Sequence, residues 1–177
     1  MAEQGKTPVE NDEDGHLEYL QESILDSENE LFPIFEEVRK HTLRARKAMD
    51  TSPADLNTLA NEIVELSILM QRLGDRIAMA GYIARDARNY YERTRENHKV
   101  RLTQEHKSDD GKRLEKPVAA GVADSMKMQL SQKEFEVYNQ AEYNLEKAVM
   151  LRKSTDKTID AIRSKLSFEK IDYHHAS

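Results

Sequence analysis

Apolar residues recur at heptad spacing down the middle of the chain: Leu56, Leu59, Ile63, Leu66, Met70, Leu73, Ile77, Ala80, Ala84, Ala87 and Tyr91. Alternating steps of three and four put all of them on one seam of a single helix, the pattern by which a helix packs along a partner. With no proline between Pro53 and His106, the spacing predicts a helix over about 53–106, roughly 80 Å long at ~1.5 Å per residue. Ser52 reads as its N-cap, with Pro53 at the first helical position and Asp55 at the positive end. A second seam, Tyr138, Ala141, Leu145, Ala148, Arg152, Thr155, Ile159, Ile162 and Leu166, predicts another helix over about 131–167, opened by a Ser131–Glu134 capping box. Between them, Ser108-Asp109-Asp110-Gly111, Pro117 and Gly121 predict a loop over about 107–123, with a short helical turn near Ala123 to Met128. The shared period predicts that the two long helices fold back as an antiparallel hairpin.

Ahead of the hairpin, Leu17, Leu20, Ile24 and Leu31 suggest a short helix from about His16, which Pro33 is expected to interrupt. A second stretch with Phe35, Val38 and Leu43 reaches about Met49 before the turn-like Asp50-Thr51-Ser52-Pro53. The expected fold is therefore all-α: an elongated antiparallel long-helix hairpin, coiled-coil-like, with shorter N-terminal helices. Residues 16–177 form one domain behind an acidic, disordered 1–15 tail.

The first seam is broader than one partner helix can cover. Leu69, Ile83 and Tyr90 flank it, and Val64, Ile68, Met79 and Tyr82 lie on further faces. Either the N-terminal helices cover these faces in a monomeric bundle, or copies of the chain associate into a dimer or ring; the shortage of other residues favours a homo-oligomer. Gly74 and Gly81 border Ala78, Ala80, Ala84 and Ala87, small side chains past which backbones can approach closely.

Composition narrows the chemistry. Charged residues make up 34% of the 177, aromatics 6%, and mean hydropathy is −0.82, too little apolar material for a thick globular core. Cysteine is absent, which excludes disulfides and thiolate sites. With no apolar leader and no apolar run of the ~20 residues that a membrane span requires, a cytoplasmic protein is expected. The net charge of −6 divides unevenly: through Glu37 one Lys faces twelve acids, a balance of −11, and from Val38 onward 26 Lys and Arg face 21 acids, a balance of +5. An acidic head precedes a mildly basic body.

No phosphate-loop, dinucleotide, zincin or hydrolase-elbow motif is present, so neither an enzyme nor a cofactor is expected. His174 and His175 read as a frayed tail, and Glu36-Glu37 and Asp109-Asp110 as solvated surface. One constellation stands out: Arg85, Arg88, Glu92, Arg95 and Lys99 share a helical face beside the seam, with Tyr82, Tyr90 and Tyr91 close by. Arg93, Arg101, Lys107, Lys112, Arg113 and Lys116 extend the charge. Spaced cations can follow a phosphate backbone and aromatics can stack on unpaired bases, so Arg85, Arg88, Tyr91, Arg95, Lys99 and Arg101 are the candidate single-stranded DNA contacts. The competing reading makes them a solvated face, with Glu92 pairing Arg88 and Arg95 and the tyrosines packed inside.

The run Ile83-Ala84-Arg85-Asp86-Ala87-Arg88-Asn89-Tyr90-Tyr91 resembles the Val-Ala-Leu-Lys-Ala-Arg-Leu-Asp-Tyr-Tyr run of the phage UvsY recombination mediators. Two further stretches in the same order are similar to that family: Ser125-Met126-Lys127 through Leu130-Ser131, and Ile159-Asp160-Ala161-Ile162-Arg163-Ser164-Lys165. The resemblance spans roughly Arg72 to Ile171. It implies a helical phage protein, acting in the host cytoplasm, that forms a ring of subunits and binds single-stranded DNA. Such a protein helps a recombinase displace single-strand-binding protein, and both of these would be its partners. The family's Lys-Ala-Arg pair falls on Asp86 and Arg88, so Arg88 inherits the DNA-binding role and Asp86 departs from the pattern. Arg85 can restore the charge, about 100° away around the helix. The alternatives are a coiled-coil adaptor or structural phage protein that binds only proteins, and an inhibitor whose acidic head imitates DNA.

Overall fold

The computed structural model describes residues 11–51, 53–104, 106–107 and 114–176, with side chains placed over 15–51, 53–104 and 116–169. It is built of four helices, α1 (Asn11–Asp50), α2 (Leu56–Thr103), α3 (Ala120–Leu130) and α4 (Gln132–Ala176), and the long ones pack against each other. A two-residue antiparallel ladder, β1 (His106–Lys107) with β2 (Leu114–Glu115), lies where a plain loop was expected, pairing His106 with Glu115 and Lys107 with Leu114. Among the described residues no helix is long and apolar enough to cross a membrane. The chain divides into two compact units, one of residues up to Ile24 with Gly81–Tyr143, the other of Leu25–Ala80 with Asn144–Ser177. Helices α1, α2 and α4 contribute a segment to each.

The N-terminal region departs most from expectation. Pro33 does not interrupt a helix there; it lies inside the 40 residues of α1. Leu20, Ile24, Ser27, Leu31, Ile34, Val38, His41, Ala45 and Ala48 step by four and three without a slip, and all are buried except the half-buried His41. A proline in a helix interior costs about 3 kcal/mol, whereas burying one Leu, Ile or Val gives ~1.5–3 kcal/mol. Leu31, Ile34 and Val38, each only 3% exposed, therefore outweigh the break together. Pro33 itself is on the exposed side. Of the expected 1–15 tail, residues 1–10 lie outside the described residues and 11–15 belong to α1.

In the second unit, Leu59, Leu66, Leu69 and Leu73 of α2 join Leu31, Ile34, Val38, Ala45 and Ala48 of α1 and Ala148, Ile159 and Ile162 of α4 in one core. Ile63, Met70 and Ile77 pack against it, and Leu56, at the end of the seam, is exposed. One polar pair is enclosed at its edge, where His41 Nδ1–H donates to Glu62 Oε2 at 2.6 Å. Arg72 bonds Glu37 at 2.9 Å and Arg76 bonds Glu30, so α1 and α2 run in opposite senses through these contacts. A Cβ at Gly74 would stand 3.7 Å from Arg152 Nη1, ordinary contact, so the expected close backbone approach is not what this glycine serves. Ser52 lies outside the described residues; at the start of α2 it is Asp55 that accepts hydrogen bonds from the Thr58 backbone N–H at 3.0 Å and the Thr58 hydroxyl at 2.6 Å. The Thr58 hydroxyl foremost, then that N–H, holds the Asp55 carboxyl below the usual range.

In the first unit, α3 is longer than the turn expected near Ala123, and a single residue, Ser131, separates it from α4. The Ser131–Glu134 capping box is not formed, because Ser131 Oγ has no hydrogen-bond partner among the described residues. Its N–H instead closes the end of α3 on the Lys127 carbonyl at 3.1 Å, while its own carbonyl accepts from the Phe135 N–H at 3.1 Å. Ala84, Ala87, Tyr90 and Tyr91 of α2, Ala123 of α3, and Val137 and Ala141 of α4 are buried here with Leu20 and Ile24. His16 of α1 sits 3.6 Å from Asp86, its ring 4.9 Å from that of the buried Tyr90.

Candidate nucleic-acid interface

Helix α2 carries all the predicted contacts in the first unit, and its seam decides how they face. Ala84, Ala87, Tyr91 and Thr94 turn inward, so side chains about 100–180° away around the helix point to solvent. Arg85 is one of these. Its guanidinium lies over the ring of Tyr82, 5.9 Å from the centroid, and that ring is 66% exposed. Arg93 is exposed as well, over the Tyr90 ring at 5.7 Å. Asn89 is exposed between them in sequence. Arg93, Asn89 and Tyr82 thus take the outward place that sequence spacing alone had given to Arg95 and Lys99.

The remaining predicted residues are tied into the fold. Arg88 is exposed, but its Nε–H donates to Glu92 Oε1 at 2.9 Å. That bond, with the charges of Glu92, Tyr138 and Glu142 behind it, raises the pKa of a group already always charged. Tyr91 is corrected from base platform to core residue. It is 8% exposed, its ring stacks on Tyr138 at 6.0 Å and 3°, meets Phe135 at 5.4 Å, and has the Arg95 guanidinium 5.6 Å away. A ring enclosed in this way has no face left for a base, since the seam position that made it look available is the one that buries it. Arg95 is half-buried with its Nε enclosed, and its Nη2 is 3.8 Å from Glu96 Oε1. Arg101 is exposed in the last turn of α2. Lys112 and Arg113 lie outside the described residues, and Lys116 is exposed.

Lys99 belongs to a network that sequence spacing did not reveal. Its Nζ is 3.0 Å from Asp124 Oδ1, which also receives Lys127 Nζ at 2.9 Å, and Lys127 reaches Glu96 Oε1 at 3.2 Å. The Lys127 and Lys99 ammoniums, in that order, hold the Asp124 carboxyl below its ordinary range. Asp124 is likewise the main cause that lifts the Lys127 ammonium above its own. Lys127 is 9% exposed, so its stem packs as part of the α3 interface while its head is neutralised. Partners 31 residues apart in sequence leave no local signal.

The outward surface of α2 in this unit thus combines an exposed aromatic, two cations without a carboxylate partner among the described residues and an amide. Such a set can stack on a base and contact phosphates without further rearrangement. Among the described residues no group of three His, Asp or Glu is placed to hold a metal ion. Comparison with protein-family models, with curated proteins and with solved structures gives no match for this chain.

Proposed function

We propose that the protein binds single-stranded DNA through the solvent face of α2 in the first unit and acts as a recombination mediator. It would hold strand for a recombinase against a single-strand-binding protein, without catalysing a reaction. The observation that carries this reading is the Tyr82–Arg85 pair, a largely exposed ring beneath a guanidinium that has no carboxylate partner among the described residues, with Arg93 on the same side. A ring of this kind pays little for stacking on a base, because it is already half out of the protein. The sequence resemblance to phage mediators supports the reading at Arg88, which holds charge beside that face.

Assembly belongs to the same proposal. The contacts of α2 with α3 and α4 run in reverse order along the chain, Tyr91 with Phe135 and Tyr138 and Lys99 with Asp124, which supports an antiparallel hairpin. Val64, Ile68 and Met79, 50–56% exposed on α2 of the second unit, support a homo-oligomer that covers them. Several such faces on one assembly would give the multivalent grip that mediation requires.

One observation favours the adaptor reading: Arg88 and Lys99 spend their charge on Glu92 and Asp124. A labelled single-stranded oligonucleotide titrated with the parent protein and with Tyr82→Ala/Arg85→Ala at several salt concentrations separates the two. The mediator reading expects binding that weakens as salt rises and falls at least tenfold in the double variant. Absence of binding by the assembled parent at low salt leaves the adaptor.

A further inference from the structure

Five cations cluster on the C-terminal half of α1, in the second unit: Arg39, Lys40, Arg44, Arg46 and Lys47. All are exposed, and none makes an ion pair among the described residues. The nearby Glu37 is engaged elsewhere, by Arg72 at 2.9 Å. At 100° per residue, Arg39, Lys40, Arg44 and Lys47 fall within one arc of about 140°, opposite the side on which Val38, Ala45 and Ala48 are buried. They span about 12 Å of helix. The contrast with α2 is one of balance: there Arg88 and Lys99 are each matched by a carboxylate, whereas here four cations share their groove with a single exposed carboxylate, Glu36, and keep a positive excess. Such a row is held at a cost in mutual repulsion that a linear polyanion would relieve.

We infer that this face of α1 is a second nucleic-acid site, one that grips the sugar–phosphate backbone without reading bases. The choice of nucleic acid as the polyanion rests on the proposed function; the existence of an anion-binding face does not. Between Arg39 and Lys47 the only ring is His41, and it is turned to Glu62. No aromatic is offered for stacking along the row, so duplex and single strand should serve equally. A protein with a stacking face on α2 and a backbone-only face on α1 can hold a single strand and a duplex at once.

The test replaces Arg39, Lys40, Arg44 and Lys47 together by Gln, which preserves exposed helical positions, with helix content checked by circular dichroism. Four phosphate contacts weaken duplex binding about 150-fold, and single-strand binding about 50-fold, between 50 and 200 mM salt. The variant should lose that salt dependence on both substrates. An unchanged salt slope on both overturns the inference, as does a loss confined to single strand or binding that polyglutamate, but not DNA, displays. Tyr82→Ala/Arg85→Ala is run alongside: if only that variant loses binding, the α2 reading stands and this inference falls. If only the α1 variant loses binding, the reverse holds.

Discussion

Replacing Tyr91 by Ala distinguishes packing from binding more sharply than any other single change. The side chain is 8% exposed and is surrounded by Phe135, Tyr138 and the Arg95 guanidinium. Truncating a buried aromatic costs ~3–5 kcal/mol in lost transfer energy and cavity. For a chain of this size each kcal/mol moves the thermal midpoint by ~2–4 °C, so Tyr91→Ala should melt on the order of 10 °C below the parent. Tyr91→Phe keeps the ring and its neighbours and should melt within about 2 °C of the parent, close to the ~0.5 kcal/mol scatter of benign changes. Thermal unfolding followed at 222 nm gives the first readout, and single-strand affinity of the folded Tyr91→Phe protein, expected unchanged, gives the second. A base-stacking tyrosine would behave differently, losing ~1–3 kcal/mol of binding on truncation. If Tyr91→Ala melts with the parent but binds oligonucleotide five- to a hundredfold more weakly, the packing argument is wrong and Tyr91 belongs to the interface.

Pro33→Ala restores one backbone donor within α1 at an exposed position, and should stabilise by about 1–3 kcal/mol; a lower melting temperature would mean that the helix depends on the proline. Glu92→Gln releases Arg88 from its 2.9 Å bond, so single-strand binding should tighten and its salt slope steepen by ~0.7. Weaker binding by that variant would show that Glu92 positions Arg88 for the strand. The Asp124 network gives a pH dependence of known sign. Its folded pKa is depressed, so its contribution is present above the unfolded value and is lost as the pH falls through about 4 and below. The difference in midpoint between the parent and Asp124→Asn should be full at pH 7 and shrink by pH 3. Lys127, with its pKa raised, should withdraw its contribution only in strong alkali. A difference that grows on acidification contradicts the assignment.

The long seam of α2 was legible because nothing interrupts it: apolar residues at unbroken three-four steps mark one face of a helix for burial. The seam of α1 has the same period and was missed, because Ser27, His41, Ala45 and Ala48 dilute it and Pro33 invites a break. Only the summed burial on α1 shows the break to be outvoted. The candidate site was half legible. Arginine and tyrosine spacing drew notice to a stretch of α2 whose outward face carries Tyr82, Arg85 and Arg93, but a seam position and an exposed position can be one residue apart, and Tyr90 and Tyr91 both went inward while Tyr82 went out. The Asp124–Lys127 pair is three residues apart and open to sequence reading, but the reach of Lys127 to Glu96 and of Lys99 to Asp124 was not, since those partners are distant in sequence and a lysine on a helix normally reads as solvated.

The His41–Glu62 contact has a consequence for alignment. Two helices with heptad seams can slide past each other by seven residues and still present apolar groups to apolar groups, so oily packing alone leaves several alignments close in energy. Shifted one way, Glu62 would face Ala48 and His41 would face Leu69; shifted the other, Glu62 would meet Ile34. Either displacement strands a carboxylate that is 5% exposed against hydrocarbon, a penalty that apolar contact does not repair. A single enclosed acid and its imidazole therefore act as a vernier mark on an otherwise repeating scale, selecting one alignment of α1 on α2.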